Sequence, residues 1–308
     1  MNSIKKGKAW FLVFAAFSLF SVSALSSCNG SAKAVDPAMI RKKNVANISA
    51  TYAAQPRLAN GRVDNELLLS QLKDLNVNTY VWLIWRGEKD WDDLQLFLPM
   101  AKKNKINVWA YLVPFSESKP RHRWSSEPYG TDYFKWAEEI GKLSLKHSNL
   151  TALSIDDFVA WNLQFYTPEY TAKMINILRD INPRVAFVPC IYYRSTKITD
   201  YAAQGYLPYF DAILFPYKGE ATGKETLKTT STFKQELDSI RKAFQHKLPV
   251  IVDIYSTAHS KAGASTPQYV EDMIKLSKQH ADGVVIYMHP DPVKEPEKYK
   301  IVKTAFQK

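Results

Sequence analysis

The chain has 308 residues, 41 Lys and Arg against 30 Asp and Glu for a formal net charge of +11, and two cysteines. That length supports a full-sized hydrophobic core, and two cysteines exclude a disulfide framework. The positive charge is dispersed as single lysines along amphipathic stretches, with no basic stripe interleaved with aromatics, so it carries no nucleic-acid footprint.

The N-terminus reads as an address. Lys5, Lys6 and Lys8 precede an apolar run over residues 9–25, which has the pattern of an export signal. At about 17 residues the run is near the lower limit for a membrane-spanning helix, which leaves a plain signal peptide or an N-terminal membrane helix as alternatives. Leu25-Ser26-Ser27-Cys28 resembles the lipobox of bacterial lipoproteins. The resemblance implies cleavage before Cys28, acylation of that residue, and a protein held by lipid to a membrane of the cell envelope on its extracytoplasmic side. Residues 1–27 are then a signal peptide, 28–43 a flexible lipidated tether bearing Lys33, Arg41, Lys42 and Lys43, and 44–308 the folded domain. Export argues against a nucleic-acid partner, and Cys190, left without a mate in an apolar stretch, reads as a small buried hydrophobe.

From residue 44 onward, short β-rich runs alternate with amphipathic stretches. Strands are predicted over 46–52, 79–85, 107–113, 150–156, 185–192, 212–217, 250–255 and 283–289, each rich in Val, Ile, Tyr, Phe or Trp and bounded by turn residues. Between them Leu67, Leu68, Leu72 and Leu75, or Phe134, Ile140 and Leu143, recur at helical spacing. Asp64 and Asp132 are candidate N-caps, and Thr167-Pro168 and Thr266-Pro267 place proline where a helix loses no donor. Eight such units in one domain match a (β/α)8 TIM barrel, which typically needs about 250 residues. An open doubly wound sheet is the alternative; to hold a nucleotide it would need a glycine-rich first turn, and residues 52–62 contain only Gly61.

In a barrel, chemistry gathers at the C-terminal ends of the strands. That rule selects Trp82, Trp85 and Arg86 after the second strand, and Tyr111, Ser116 and Glu117 after the third. It adds Ser154, Asp156 and Asp157 after the fourth, Tyr192, Tyr193 and Arg194 after the fifth, and Phe215 and Tyr217 after the sixth. Asp253 and Tyr255 follow on the seventh, and Tyr287 and His289 on the eighth, each pair sharing a face by the period of two. Trp85, Arg86, Tyr111, Tyr192, Tyr217, Tyr255, Tyr287 and His289 are the candidate substrate-binding set. Aromatic faces stack on the C–H faces of sugars; packing alone would also favour these residues in strands. The loop over 114–130 is long and carries Arg121, His122, Arg123 and Trp124, which would suit an acidic or sulfated sugar as well as a solvated loop.

Asp156 and Asp157 end an apolar strand side by side. Burial and mutual repulsion should raise one of the two, as a general acid requires, unless one caps a helix while the other faces water. Neighbours on a strand point to opposite faces, so both reach one ligand only if the chain bends at Asp157. Leu153-Ser154-Ile155-Asp156-Asp157-Phe158 resembles the Asp-Asp motif after strand four of the O-GlcNAcase and bacterial hyaluronidase-type β-N-acetylglucosaminidases. That resemblance covers one motif and the fold. It implies a hydrolase that uses the substrate's acetamido group as nucleophile, with Asp156 polarising the acetamide and Asp157 serving as acid and base. That family's other sugar-binding residues have only a loose counterpart here, Asp253. Glu117 and Asp253 are further catalytic candidates, either of which opposite Asp157 would give a two-carboxylate mechanism.

No two of the six histidines have ligand spacing on one element, no Gly-x-Ser-x-Gly elbow occurs, and no glycine loop to cradle phosphate follows the late strands. Neither a metal nor a cofactor is expected. The expectation is a glycosidase acting on carbohydrate at the cell envelope; the alternative is a glycan-binding lipoprotein that keeps the barrel without the chemistry.

Overall fold

The computed structural model describes residues 35–53 and 55–307. Cys28, the apolar run before it and the first part of the expected tether lie outside the described residues. Eight parallel strands form one sheet in the order β5-β4-β3-β2-β1-β8-β7-β6. They are β1 (Ile48–Tyr52), β2 (Thr79–Ile84), β3 (Asn107–Leu112), β4 (Leu150–Ile155), β5 (Ala186–Phe187), β6 (Ile213–Pro216), β7 (Val250–Tyr255) and β8 (Gly283–Tyr287). The helices are α1 (Pro37–Asn44), α2 (Asn65–Asp74), α3 (Asp90–Lys103), α4 (Tyr133–Lys146), α5 (Pro168–Ile181), α6 (Tyr193–Ile198), α7 (Phe233–Ala243), α8 (Pro267–His280) and α9 (Pro296–Gln307). The architecture is the TIM-barrel type that the alternation predicts.

Seven strands lie within the predicted spans, shorter by one to two residues at their ends or equal to them. The fifth does not: of 185–192 only two residues form a ladder. Pro189 has no N–H to donate toward β6, so regular pairing lapses on that side, while the Val188 and Cys190 amides still donate to Leu153 and Ile155 of β4 (2.9 and 3.0 Å). The sheet is closed by a single bridge, Cys190 to Leu214, in which the Leu214 amide donates to the Pro189 carbonyl (3.0 Å) and the Ile191 amide to Leu214 (2.9 Å).

Inward-facing residues pack by layers. The register sets Trp109 level with Val81 and Ala152, and Ala152 level with Ala186, so small neighbours leave room for the indole in the lower barrel. Outward-facing Tyr80, Trp82, Phe187, Phe215 and Tyr217 pack instead against the surrounding helices. The predicted caps are in place: Asp64 accepts from the Leu67 amide, Asp132 from Lys135, Thr167 from Tyr170 and Thr266 from Tyr269.

The expected tether is corrected at its end. Residues 37–44 are helix α1, capped by Asp36 and started by Pro37 at N1. The helix is fastened under the barrel: Arg41 donates to Asp211 (2.8 Å) and to the Pro183 carbonyl (2.6 Å), and Asn44 to the Arg184 carbonyl (2.9 Å). Asp211 also accepts from Arg179 (3.0 Å) and from the Phe187 amide of β5 (2.9 Å), so one carboxylate joins α1, α5, β5 and the start of β6. Removing it leaves two guanidiniums without their partner. Asp211→Ala is expected to lower unfolding free energy by about 3 kcal/mol, read as a shift in the urea midpoint at unchanged slope.

Candidate functional site

A cavity of about 550 Å³ opens at the C-terminal ends of the strands. Its floor is built around Asp156, which follows β4 directly and continues the ladder by donating its amide to Leu112 (3.0 Å). The Asp156 carboxylate accepts from Tyr111 Oη (2.9 Å), from Tyr52 Oη (3.3 Å) and from the Asp157 amide (2.9 Å). The chain then turns: Asp157 has φ of +41°, in the left-handed region. That bend breaks the strand alternation, and Asp156 and Asp157 both line the cavity. Asn162 braces the turn from outside by donating to the Asp157 carbonyl (2.8 Å) and to Ser116 Oγ (3.0 Å).

Four carboxylates line this cavity low down or beside the pair: Asp156, Asp157, Glu117 and Asp253. Burial pushes Asp157 well above the usual carboxylate range, the charges of Asp156 and Glu117 push it further, and a hydrogen bond from Tyr192 opposes them. Burial also raises Asp156, but four donors pull it back: Tyr111, the Asp157 amide, Cys190 and Tyr52. Both carboxyls are thus raised, Asp157 further than Asp156, so a proton shared by the pair favours Asp157. Burial, then the Asp156 charge, lifts Glu117 to about 7 and Asp253 well above its ordinary value. Asp253 is buried, and its Oδ1 has no hydrogen-bond partner among the described residues.

Tyrosines close the upper barrel over this floor. Tyr52 packs against Tyr111 (ring centroids 4.6 Å apart) and Tyr287 (5.2 Å), and Tyr287 against Tyr255 (4.9 Å). Two further walls rise from the loops. On one, Trp85 lies against Trp124 with centroids 4.7 Å apart. On the other, Lys218 sits 4.3 Å over the Tyr192 ring and pairs with Glu225 (3.4 Å) and Glu220 (3.8 Å).

Of the sequence-predicted residues, Asp156, Asp157, Glu117, Asp253, Trp85, Tyr111, Tyr192, Arg194, Tyr255 and Tyr287 line the cavity, whereas Trp82, Ser116, Ser154, Tyr193 and Phe215 at the strand ends do not. Neither do three of the substrate-binding candidates. Tyr217 follows inward-facing Pro216, so it points outward, and its hydroxyl donates to the Thr229 carbonyl (3.1 Å). Met288 has φ of +47°, which breaks the alternation after Tyr287 and turns His289 away; its Nε2 lies 3.4 Å from Gln71 Oε1 of α2, and burial pushes it down to about 4. Arg86 is on the exposed rim, over Trp85. Cys190 is buried as expected, yet it faces the cavity floor. Lys218, Glu220, Glu225 and His259 were not anticipated, although all lie in the loops after β6 and β7. The barrel rule applied to those loops would have found them.

No protein-family model and no curated protein sequence matches the chain. Solved structures do match by fold. An endoglucanase shares 15% identity at a TM-score of 0.59, over 87% of this chain and 99% of that one. Active domain 2 of the Pyrococcus furiosus chitinase shares 12% at 0.57, over 85% and 96%. A calcium-binding mutant of Bacteroides uniformis beta-glucuronidase 2 shares 11% at 0.55 over 80% of this chain, which spans only 30% of that enzyme. At such identities the likeness is one of fold: a TIM barrel of the kind these glycoside hydrolases use.

The raised Glu117 carries a sign for stability. It is protonated in the native state up to about 7 but titrates near 4.5 when unfolded, so the folded form holds the extra proton between those values. Stability is full below the lower value and declines as pH rises through the upper one. Glu117→Gln removes one ionisation from that window, and thermal melts from pH 4 to 8 are expected to show a shallower fall than in the parent, about 1–3 kcal/mol less across it.

Proposed function

We propose that this protein is a glycoside hydrolase in which Asp157 is the general acid and base and Asp156 its charged partner. The observation that carries the reading is the asymmetry of the pair: one carboxyl accepts hydroxyl and amide donors, the next is raised further by burial and by its neighbour, and both line one cavity. A protonated carboxyl at the floor can give its proton to a glycosidic oxygen as the bond breaks and take one back from water afterwards. Asp156, fixed by Tyr52 and Tyr111, is placed to accept an N–H and so to polarise an acetamido group, as the Asp-Asp resemblance implies. Tyr52, Tyr255, Tyr287, Trp85 and Trp124 offer the ring faces that a pyranose requires. The glycoside hydrolase neighbours support the class and leave the sugar open. The lipobox-like Leu25-Ser26-Ser27-Cys28 supports a site of action at the cell envelope, with the barrel tethered by lipid on Cys28.

Aryl glycosides, N-acetylhexosaminides among them, test this reading with the full-length chain. Release from an N-acetyl sugar is expected, and Asp157→Asn should reduce it by about 10²–10⁴-fold. Because an amide needs no proton uptake to be buried where the Asp157 carboxyl does, the melting temperature at pH 8 should hold or rise in that variant. Undiminished turnover in the variant would remove Asp157 from the mechanism. Silence across aryl glycosides and polysaccharides alike would favour a glycan-binding barrel.

A further inference from the structure

The cavity has a polarity that the chemistry at its floor does not use. Three guanidiniums sit over aromatic rings at the loops after β2, β3 and β4: Arg86 over Trp85 (4.7 Å), Arg123 over Trp124 (4.3 Å), and Arg121 over Phe115 (4.2 Å) and Phe165 (5.2 Å). Since Trp85 and Trp124 are themselves in contact, Arg86, Trp85, Trp124 and Arg123 form one continuous stack. Phe115 and Phe165 stack at 4.0 Å. Arg86, Arg121 and Arg123 are exposed, and among the described residues none forms an ion pair with a carboxylate, although nearby Lys119 does, with Glu127 (3.9 Å). The facing wall differs. Lys218 is paired with Glu220 and Glu225, and Arg194 lies 3.9 Å from Glu225, so the Lys and Arg lining the cavity on that wall are matched. Arg86 and Arg123 stand on the Trp85 side without such partners, above a floor of four carboxyls.

We infer that this side of the mouth binds an anionic glycan, one whose units carry carboxylate or sulfate groups, with the charged unit on the arginine stack and an uncharged unit at the floor. The inference rests on the glycosidase reading and adds the substrate class. A guanidinium over an aromatic ring is held in place and partly desolvated on one face, while its in-plane N–H fork stays open to an oxyanion. The planar fork matches a carboxylate or sulfate, and a charge-assisted pair is stronger than a hydrogen bond to a neutral hydroxyl. The floor works in the opposite sense: an acidic substituent placed there would be desolvated among buried carboxyls that themselves favour the neutral form. A chain that alternates neutral and acidic sugars satisfies both ends of the gradient.

Binding separates this inference from catalysis. Titration calorimetry with the full-length Asp157→Asn chain would compare hexasaccharides of alternating N-acetylhexosamine and uronic acid, with and without sulfate, against neutral chitohexaose. At low salt either anionic oligosaccharide is expected to bind at least about tenfold tighter than chitohexaose. That ratio should collapse towards one in the Arg86→Gln/Arg123→Gln double variant, and it should shrink as salt rises. A preference held only by the sulfated ligand would identify sulfate as the recognised group. Equal or tighter binding of chitohexaose, or an anionic preference that survives the double substitution, overturns the inference and leaves the glycosidase reading intact. Failure to bind any hexasaccharide while the parent chain still cleaves aryl glycosides overturns it as well. Failure of both binding and cleavage sinks the two together.

Discussion

A carboxylate taken out of water must find donors, and much of the upper barrel can be understood as the supply of donors to Asp156. Tyr52 from β1 and Tyr111 from β3 reach it with their hydroxyls, while the next residue's own amide closes the set. Those tyrosines must be large to span the barrel, and their rings then fill the layer that aliphatic side chains fill lower down. Tyr287 and Tyr255 extend the same layer around β8 and β7. The aromatic lining is therefore the scaffold of the buried charge as well as a surface for a ligand. Once Asp156 is satisfied as an anion, every other carboxyl nearby is raised by it. Asp157, Glu117 and Asp253 all carry its charge among their causes.

The cavity so formed runs from acid to base. Its lower part concentrates carboxyls that hold protons, and one side of its mouth carries arginines with no carboxylate to answer them. Between the two lie indoles and phenols, whose electron-rich faces hold the cations above them. Such a gradient orients a polymer before any hydroxyl is read. The loop after β3 serves both, with Glu117 at the floor and Trp124 on the wall, but the Trp85 side has a support of its own. Asp90 at the start of α3 gathers the amides of Trp85, Arg86 and Gly87 (3.0, 3.0 and 3.2 Å) and pairs with Arg57 (2.6 Å), which sets the Trp85 wall independently of the Asp pair.

The strands and the Asp pair were legible in the sequence because buried parallel strands read as β-rich runs and the barrel topology turns their ends into one site. Even the need for a bend at Asp157 followed from strand parity. Parity misled elsewhere for two local reasons. Tyr217 was grouped with the site although Pro216, its neighbour, takes the inward position. His289 was carried along the β8 face, and the left-handed Met288 that diverts it has no signature in a Tyr-Met-His-Pro run. Helix α1 was missed although its signals, Asp36 followed by Pro37, are those that found α5 and α8. The Lys218 wall escaped because loops were read less closely than strand ends.

The seam between β5 and β6 has a consequence for how this barrel moves. Most neighbouring strands pair over three to six residues; here, beside a proline, three backbone bonds and a single bridge join the strands. Cooperative opening of a closed sheet begins where the fewest bonds must break, so amides around Ile191 and Leu214 belong to the first subglobal unit to exchange with solvent. Cys190 lies on that seam, and its carbonyl accepts the Phe158 amide (2.8 Å), the residue after the Asp pair. Loosening the seam thus slackens the turn that presents Asp157. The cavity floor borders the thinnest part of the cylinder, so the turn after β4 is held by the same few bonds that close the sheet.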